Sequence, residues 1–218
     1  MPFVEWPLYY EDARGTEKTM IRSDGSGLMV VLRNFRFTGT SFDGLEPDMN
    51  TGALLYPFAF CLGCLCDCKM SVSMELRLLS GKKEIGCHLA IVLALGRALP
   101  NNALDRASLD LCLSFEEEKH RAMSSHCDFE EGLLGIQRQL PADFIIKACI
   151  NCLYSDYSPL GNGSFGCMMC FRNIKEEYLR VHSKAEFFDI EDRFERWVQE
   201  THCCPDFVER LPGTGYRG

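Results

Sequence analysis

The chain has 218 residues, 46% of them apolar, thirteen cysteines and a formal net charge of −8. That length suits one domain with an appended module and a substantial core; the acidic balance argues against nonspecific attachment to nucleic acid or an anionic membrane, which needs clustered Lys and Arg. An odd cysteine count does not fit a purely disulfide framework, and MPFVEWPLYYED lacks the basic and apolar regions of a secretion signal, so reduced thiols and a cytoplasmic protein are expected.

In chain order, Gly27 to Phe37 predicts a strand, opened by SDGSG and closed by TGTSFDG. Met49 to Cys66 is uncharged, but Gly52, Pro57 and Gly63 interrupt it. It falls short of the roughly 20 consistently apolar residues of a spanning helix, and no membrane segment is expected. Residues 69–78 alternate strictly, with Met70, Val72, Met74, Leu76 and Leu78 on one face, the period of a half-buried antiparallel strand. The same register carried backwards puts Cys64, Cys66 and Cys68 on the apolar face. Residues 85–95 repeat the pattern through Ile85, Cys87, Leu89, Ile91, Leu93 and Leu95. Their opposite face, with Ala90, Val92 and Ala94, is also apolar, which predicts a central strand covered on both sides. Leu109, Leu111, Leu113 and Phe115 mark a further strand.

The first helix is expected from Asp128, which has capping-box spacing to Glu131, along Phe129, Leu133, Ile136 and Leu140 to the stop at Pro141. It should lie across the sheet. Asn173 and Glu176 make a second capping pair ahead of Ile174, Tyr178 and Val181. A third helix is expected through Ile190, Phe194 and Trp197, with Asp189, Glu191 and Asp192 in its first turn. The tail from Cys203 reads as irregular. The expected architecture is α+β: an antiparallel β-sheet or sandwich with one packing helix over residues 1–146, then a four-cysteine zinc-binding module with short helices and a tail over residues 147–218.

That module rests on Cys149 and Cys152 followed by Cys167 and Cys170, a C-x2-C…C-x2-C arrangement. Four thiolates suit the tetrahedral preference of zinc, and a site with no open position is structural rather than catalytic. Four buried thiols without a metal, a redox dithiol and an iron–sulfur site are the alternatives. Cys203 and Cys204, beside His202, offer a replacement ligand. Cys61, Cys64, Cys66 and Cys68 read as core packing, because side chains two residues apart on a strand sit about 6–7 Å apart. Gly161, Gly163 and Gly166 spell G-x-G-x-x-G, but no strand runs into them and no helix opens on them, so they read as turn residues.

There is no G-x-S-x-G elbow, H-E-x-x-H or Walker loop. No spacing selects a catalytic partner among His88, His120, His126, His182 and His202. Glu116, Glu117, Glu118, Glu130 and Glu131 read as a solvated acidic edge, with a basic partner protein as the sharper alternative. From Cys149 onward, CxxC, YSDYSP, GNGSFG, CFRNIKEEYL, VQET and PGTGYRG follow one another. This wording resembles an uncharacterised bacterial family, a domain of unknown function, strongly over about the last 75 residues and by general pattern before them. The resemblance implies a bacterial cytoplasmic protein and marks Tyr154, Asp156, Tyr157, Phe171, Arg172 and Tyr216 as more than filler. The leading expectation is a non-enzymatic, antitoxin-like or regulatory partner of another protein, with zinc as a structural cofactor. The rival is an enzyme with a pocket between sheet and module around Asp156, Tyr157 and Arg172. An ion-pair network of Arg172 and Arg217 with Asp156 is a further expectation for the tail.

Overall fold

The computed structural model describes residues 3–48, 58–161 and 163–216. Its main body is an antiparallel sheet built from β1 (Val4–Asp12), β2 (Gly15–Ser23), β3 (Leu28–Leu32), β4 (Phe35–Gly39) and β5 (Glu46–Pro47), then β8 (Cys68–Ser80), β9 (Lys83–Leu95), β10 (Ala107–Phe115) and β11 (Glu118–Ser124). The strands run in the order β11-β10-β9-β8-β1-β2-β3-β4-β5, and β12 (Phe144–Ile146) also pairs with β8 to make the tenth strand. Between β5 and β8, β6 (Ala59–Cys61) and β7 (Cys64–Cys66) form a separate hairpin.

Period-two burial drives this architecture. Along β8, Cys68, Met70, Val72, Met74 and Leu78 are buried while Lys69, Ser73, Glu75 and Arg77 face water. Leu109, Leu111, Leu113 and Phe115 of β10 are likewise buried. Strand β9 is central, between β8 and β10, as its pattern predicts. Its second face is not covered, however: Ala90 is exposed and Val92 and Ala94 are half-buried. An antiparallel sheet can leave one face in water, and small side chains there do not require a covering layer. The segment from Gly27 to Phe37 is two strands rather than one. Arg33 (φ 48°) and Asn34 (φ 69°) are both left-handed, the geometry of a two-residue hairpin turn whose twist matches its strands.

Helix α1 (Phe129–Gln137) begins where expected, with the Asp128 carboxylate accepting from the Glu131 N–H at 3.0 Å. Phe129, Leu133 and Ile136 are buried, and the helix packs against β10 and β11. Gly132 permits that close approach, because a Cβ there would stand 2.7 Å from Leu111 Cδ1.

The C-terminal part is knitted around a small sheet of β13 (Ser155–Asp156), β14 (Met168–Cys170) and β15 (Arg196–Val198), with α2 (Lys175–Tyr178) and α3 (Lys184–Phe188) between the last two. Two sequence expectations are corrected here. Asn173 does not cap a helix: its side-chain amide donates to the Arg193 carbonyl, and the true capping box is Ser183 with Glu186 on α3. The expected third helix is a 3-10 turn, Glu191–Arg193, followed by extended chain, because Arg196 and Trp197 pair with β14. Alternation on β14 ties the parts together. Met168 and Cys170 join the main core, while Met169 packs with Phe171, Tyr178, Val181, Phe187 and Ile190 in a second, smaller one.

Candidate functional site

Cys149, Cys152 and Cys170 are brought to one place by backbone geometry. The first two close a 3-10 turn in which the Cys152 N–H donates to the Cys149 carbonyl at 3.0 Å. The Ser155 hydroxyl donates to the carbonyls of both. Ser155 in turn stands opposite Cys170 in the β13–β14 ladder. Cys167 is directed elsewhere, since CMMC is extended rather than curled and side chains three apart on extended chain point to opposite sides. The Cys167 thiol lies 3.4 Å from the Gly163 carbonyl and 3.7 Å from the Glu200 carboxylate.

The returning chain supplies other cysteines to the same region. The Cys149 N–H donates to the His202 carbonyl at 2.7 Å, which places Cys203 and Cys204 beside the turn. Burial pushes the Cys149 thiol well above the ordinary thiol range, and the nearby thiols of Cys152, Cys170, Cys204 and Cys203 would repel its ionised form. Arg172 faces the group: its backbone N–H is turned on the Cys170 thiol and its guanidinium lies beside Cys204. Among the described residues, no three His, Cys, Asp or Glu side chains are grouped as they stand to hold a metal ion. All thirteen cysteines are free thiols.

Asp156, Tyr157 and Arg172, the residues of the enzymatic alternative, are engaged in packing. Asp156 is buried and accepts from the Tyr178 hydroxyl at 2.7 Å and from the Tyr157 N–H at 2.8 Å. The Tyr157 hydroxyl donates to Glu200 at 3.2 Å. Arg172 forms ion pairs with Glu195 and, at 3.6 Å, Asp206. Glu200 is itself buried, with its carboxyl pushed up to about 7 by burial despite the Gly166 N–H donating to it at 2.7 Å. Arg172 reaches the tail through Asp206 rather than through the expected Asp156, and Arg210 fastens the tail further. Its guanidinium donates to the carbonyls of Cys152, Ser155 and Thr214 and lies 3.2 Å from the Tyr178 hydroxyl. Arg217 lies outside the described residues.

A cavity of about 570 Å³ lies where the main sheet divides. Strand β1 pairs with β8 only from Leu8↔Val72 to Asp12↔Cys68. Strand β12 takes the same edge of β8 at Leu78, Leu79 and Ser80, and the Lys147 N–H reaches the Arg77 carbonyl. Between them, Ser73–Leu76 has no strand partner on that edge among the described residues, although it pairs with β9 on the other. Pro7, with no N–H to donate, stands where the β1 ladder stops. The groove has an apolar floor of Trp6, Leu76 and Cys87 and a polar rim that includes Glu75, Arg77 and His88. Arg77 is paired with Glu84 at 2.6 Å, and Glu5 with Arg22 at 2.6 Å. No sequence motif points to this groove. Its only sequence signal is Pro7 within an otherwise strand-like run.

A family model described as a family of unknown function (DUF6304) matches residues 4–155. The match covers the β-rich part and ends at the start of β13, taking in Cys149 and Cys152 but not the later motifs. No curated protein and no solved structure matches the chain.

Proposed function

Because the chain belongs to this family of unknown function, its role is read from its own geometry, and we propose a non-catalytic binding protein that takes up an extended polypeptide segment of a partner in the groove between β1 and β8. The observation that carries this reading is the interrupted ladder: an edge stretch of β8 presents backbone donors and acceptors with no strand among the described residues to receive them. An added strand satisfies such an edge by main-chain hydrogen bonds, while pockets beneath it select side chains. Trp6 and Leu76 supply an apolar floor, and aromatic residues are the usual anchors of such contacts.

Charge narrows the occupant. Glu75 stands on the rim with no ion-pair partner among the described residues, on a chain of net charge −8. The partner segment is therefore an extended stretch with a Lys or Arg among apolar residues. The internal engagement of Asp156, Tyr157 and Arg172 favours binding over catalysis at the module. Thirteen free thiols support a reducing compartment, the cytoplasm. No helix among the described residues is long and apolar enough to cross a membrane.

The test is selection of a displayed library of extended peptides against the full chain, with contacts mapped by amide exchange. Enriched peptides should carry a basic residue, protect amides within Ser73–Leu76, and bind at least about tenfold more weakly, a loss of about 1.4 kcal/mol, to Glu75→Lys. No enrichment, or protection elsewhere that ignores Glu75→Lys, overturns the reading.

A further inference from the structure

Cys204 lies on the returning chain beside Cys149, Cys152 and Cys170, whereas the Cys167 thiol turns toward Gly163 and Glu200. The 3-10 turn holds Cys149 and Cys152, the β13–β14 ladder delivers Cys170, and the Cys149 N–H bond to the His202 carbonyl fixes the return strand two residues before Cys204. Cys149, Cys152 and Cys170 are buried and Cys204 is half-buried. From these backbone placements we propose a structural zinc site whose ligands are Cys149, Cys152, Cys170 and Cys204, independent of the groove and of its occupant.

The surroundings fit such a site. A C-x2-C turn is a conformation from which two sulfurs can face one point. Thiolate ligands need N–H donors and compensating charge around them, and the Arg172 N–H and guanidinium stand beside Cys170 and Cys204. Cys203 lies farther out, exposed, with Lys147 and Glu84 among its neighbours. Four thiolates around Zn²⁺ carry a net charge of −2, and Arg172, whose guanidinium is shared with Glu195, is the cation that stands beside them. Each thiol gives up its proton to solvent on binding, so the burial that keeps Cys149 protonated in the free chain is opposed by the metal. The sulfurs are not converged as they stand. On this proposal, rotation about the Cα–Cβ bonds of the cysteines brings them together when the metal binds. Cys167 and Glu200 are left outside the set.

The test uses the full chain purified without a histidine tag, with metal measured by elemental mass spectrometry. One zinc per chain is expected in the wild type, in Cys167→Ser and in Cys203→Ser, and its loss in Cys149→Ser and Cys204→Ser. Since a lost ligand also loosens the fold, the tolerated variants carry an independent reading: after cobalt(II) loading, wild type, Cys167→Ser and Cys203→Ser should share one sulfur-to-metal charge-transfer spectrum. No metal in the wild type, zinc lost in Cys167→Ser but kept in Cys204→Ser, or a changed cobalt spectrum in Cys167→Ser would each overturn the assignment.

Discussion

The sheet and the C-terminal module solve the same problem of burial by different means. In β8, β9 and β10 stability is spread over many equivalent side chains, each buried by the alternation of its strand. In the module a smaller apolar cluster is joined by a few polar side chains, above all Arg210 and Ser155, that each satisfy several backbone groups at once. Buried carbonyls there have no long ladder to enter, so a single side chain stands in for one. A periodic region is consequently legible in sequence and tolerant of repacking. A region held by individual hydrogen bonds is neither.

Substitutions at the two centres sharpen this contrast. Leu111→Ala, at a fully buried position beneath α1, should cost about 4 kcal/mol through lost transfer energy and a cavity, read as one cooperative shift in chemical denaturation. Arg210→Ala should cost about 3 kcal/mol by stranding buried carbonyls, and amide exchange should accelerate first in β13 and the tail while β9 and β10 stay protected. Equal acceleration throughout would break the distinction. Gly215→Ala should cost about 2 kcal/mol, because Gly215 has φ 68° and an added Cβ would stand 2.6 Å from the Tyr178 hydroxyl.

The module should also carry its own pH dependence. The Glu200 carboxyl is raised to about 7 in the fold, against an unfolded value near 4.3. The folded state therefore holds a proton that the unfolded state has released, and the associated stability, about 3 kcal/mol, is full below the unfolded value and lost as pH rises through 7. His202 acts oppositely. Its imidazole is held down to about 4 by burial and then by Arg196 and Arg172, so its contribution is full above about 6.5 and lost as pH falls. The two slopes oppose each other between the carboxylate and imidazole ranges. Above that overlap only Glu200 acts, and Glu200→Gln should abolish the decline in stability between about pH 6.5 and 8. The smallest effect belongs to the surface of the sheet: breaking Glu5–Arg22, both about half-exposed, should change stability by less than about 1 kcal/mol.

The same contrast decides what sequence reasoning reaches. The strands β8 and β10, with their inward residues, follow from alternation alone, and α1 follows from the Asp128 cap and its buried stripe. The Arg33–Asn34 turn escapes because it lacks glycine, and β15 reads as helix because Ile190, Phe194 and Trp197 have helical spacing while tertiary pairing with β14 prevails. Cys149 and Cys152 are paired by their spacing and stand together in the fold. The spacing of Cys167 and Cys170 carries no sign that the intervening Met168 and Met169 lie on a strand, and the nearness of Cys204 to Cys149 depends on a return of the chain that no local pattern encodes. The groove is illegible for the same reason, since it arises from where β1 parts from β8.

The most direct measurement is native-state amide exchange, residue by residue, along β8. The account predicts that within Ser73–Leu76 the amides pointing away from β9 exchange much faster than their counterparts in Cys68–Val72 and Leu78–Ser80, and that a bound basic peptide slows them. Equal protection along the whole edge in the free protein would contradict an open site there, and with it the proposed function.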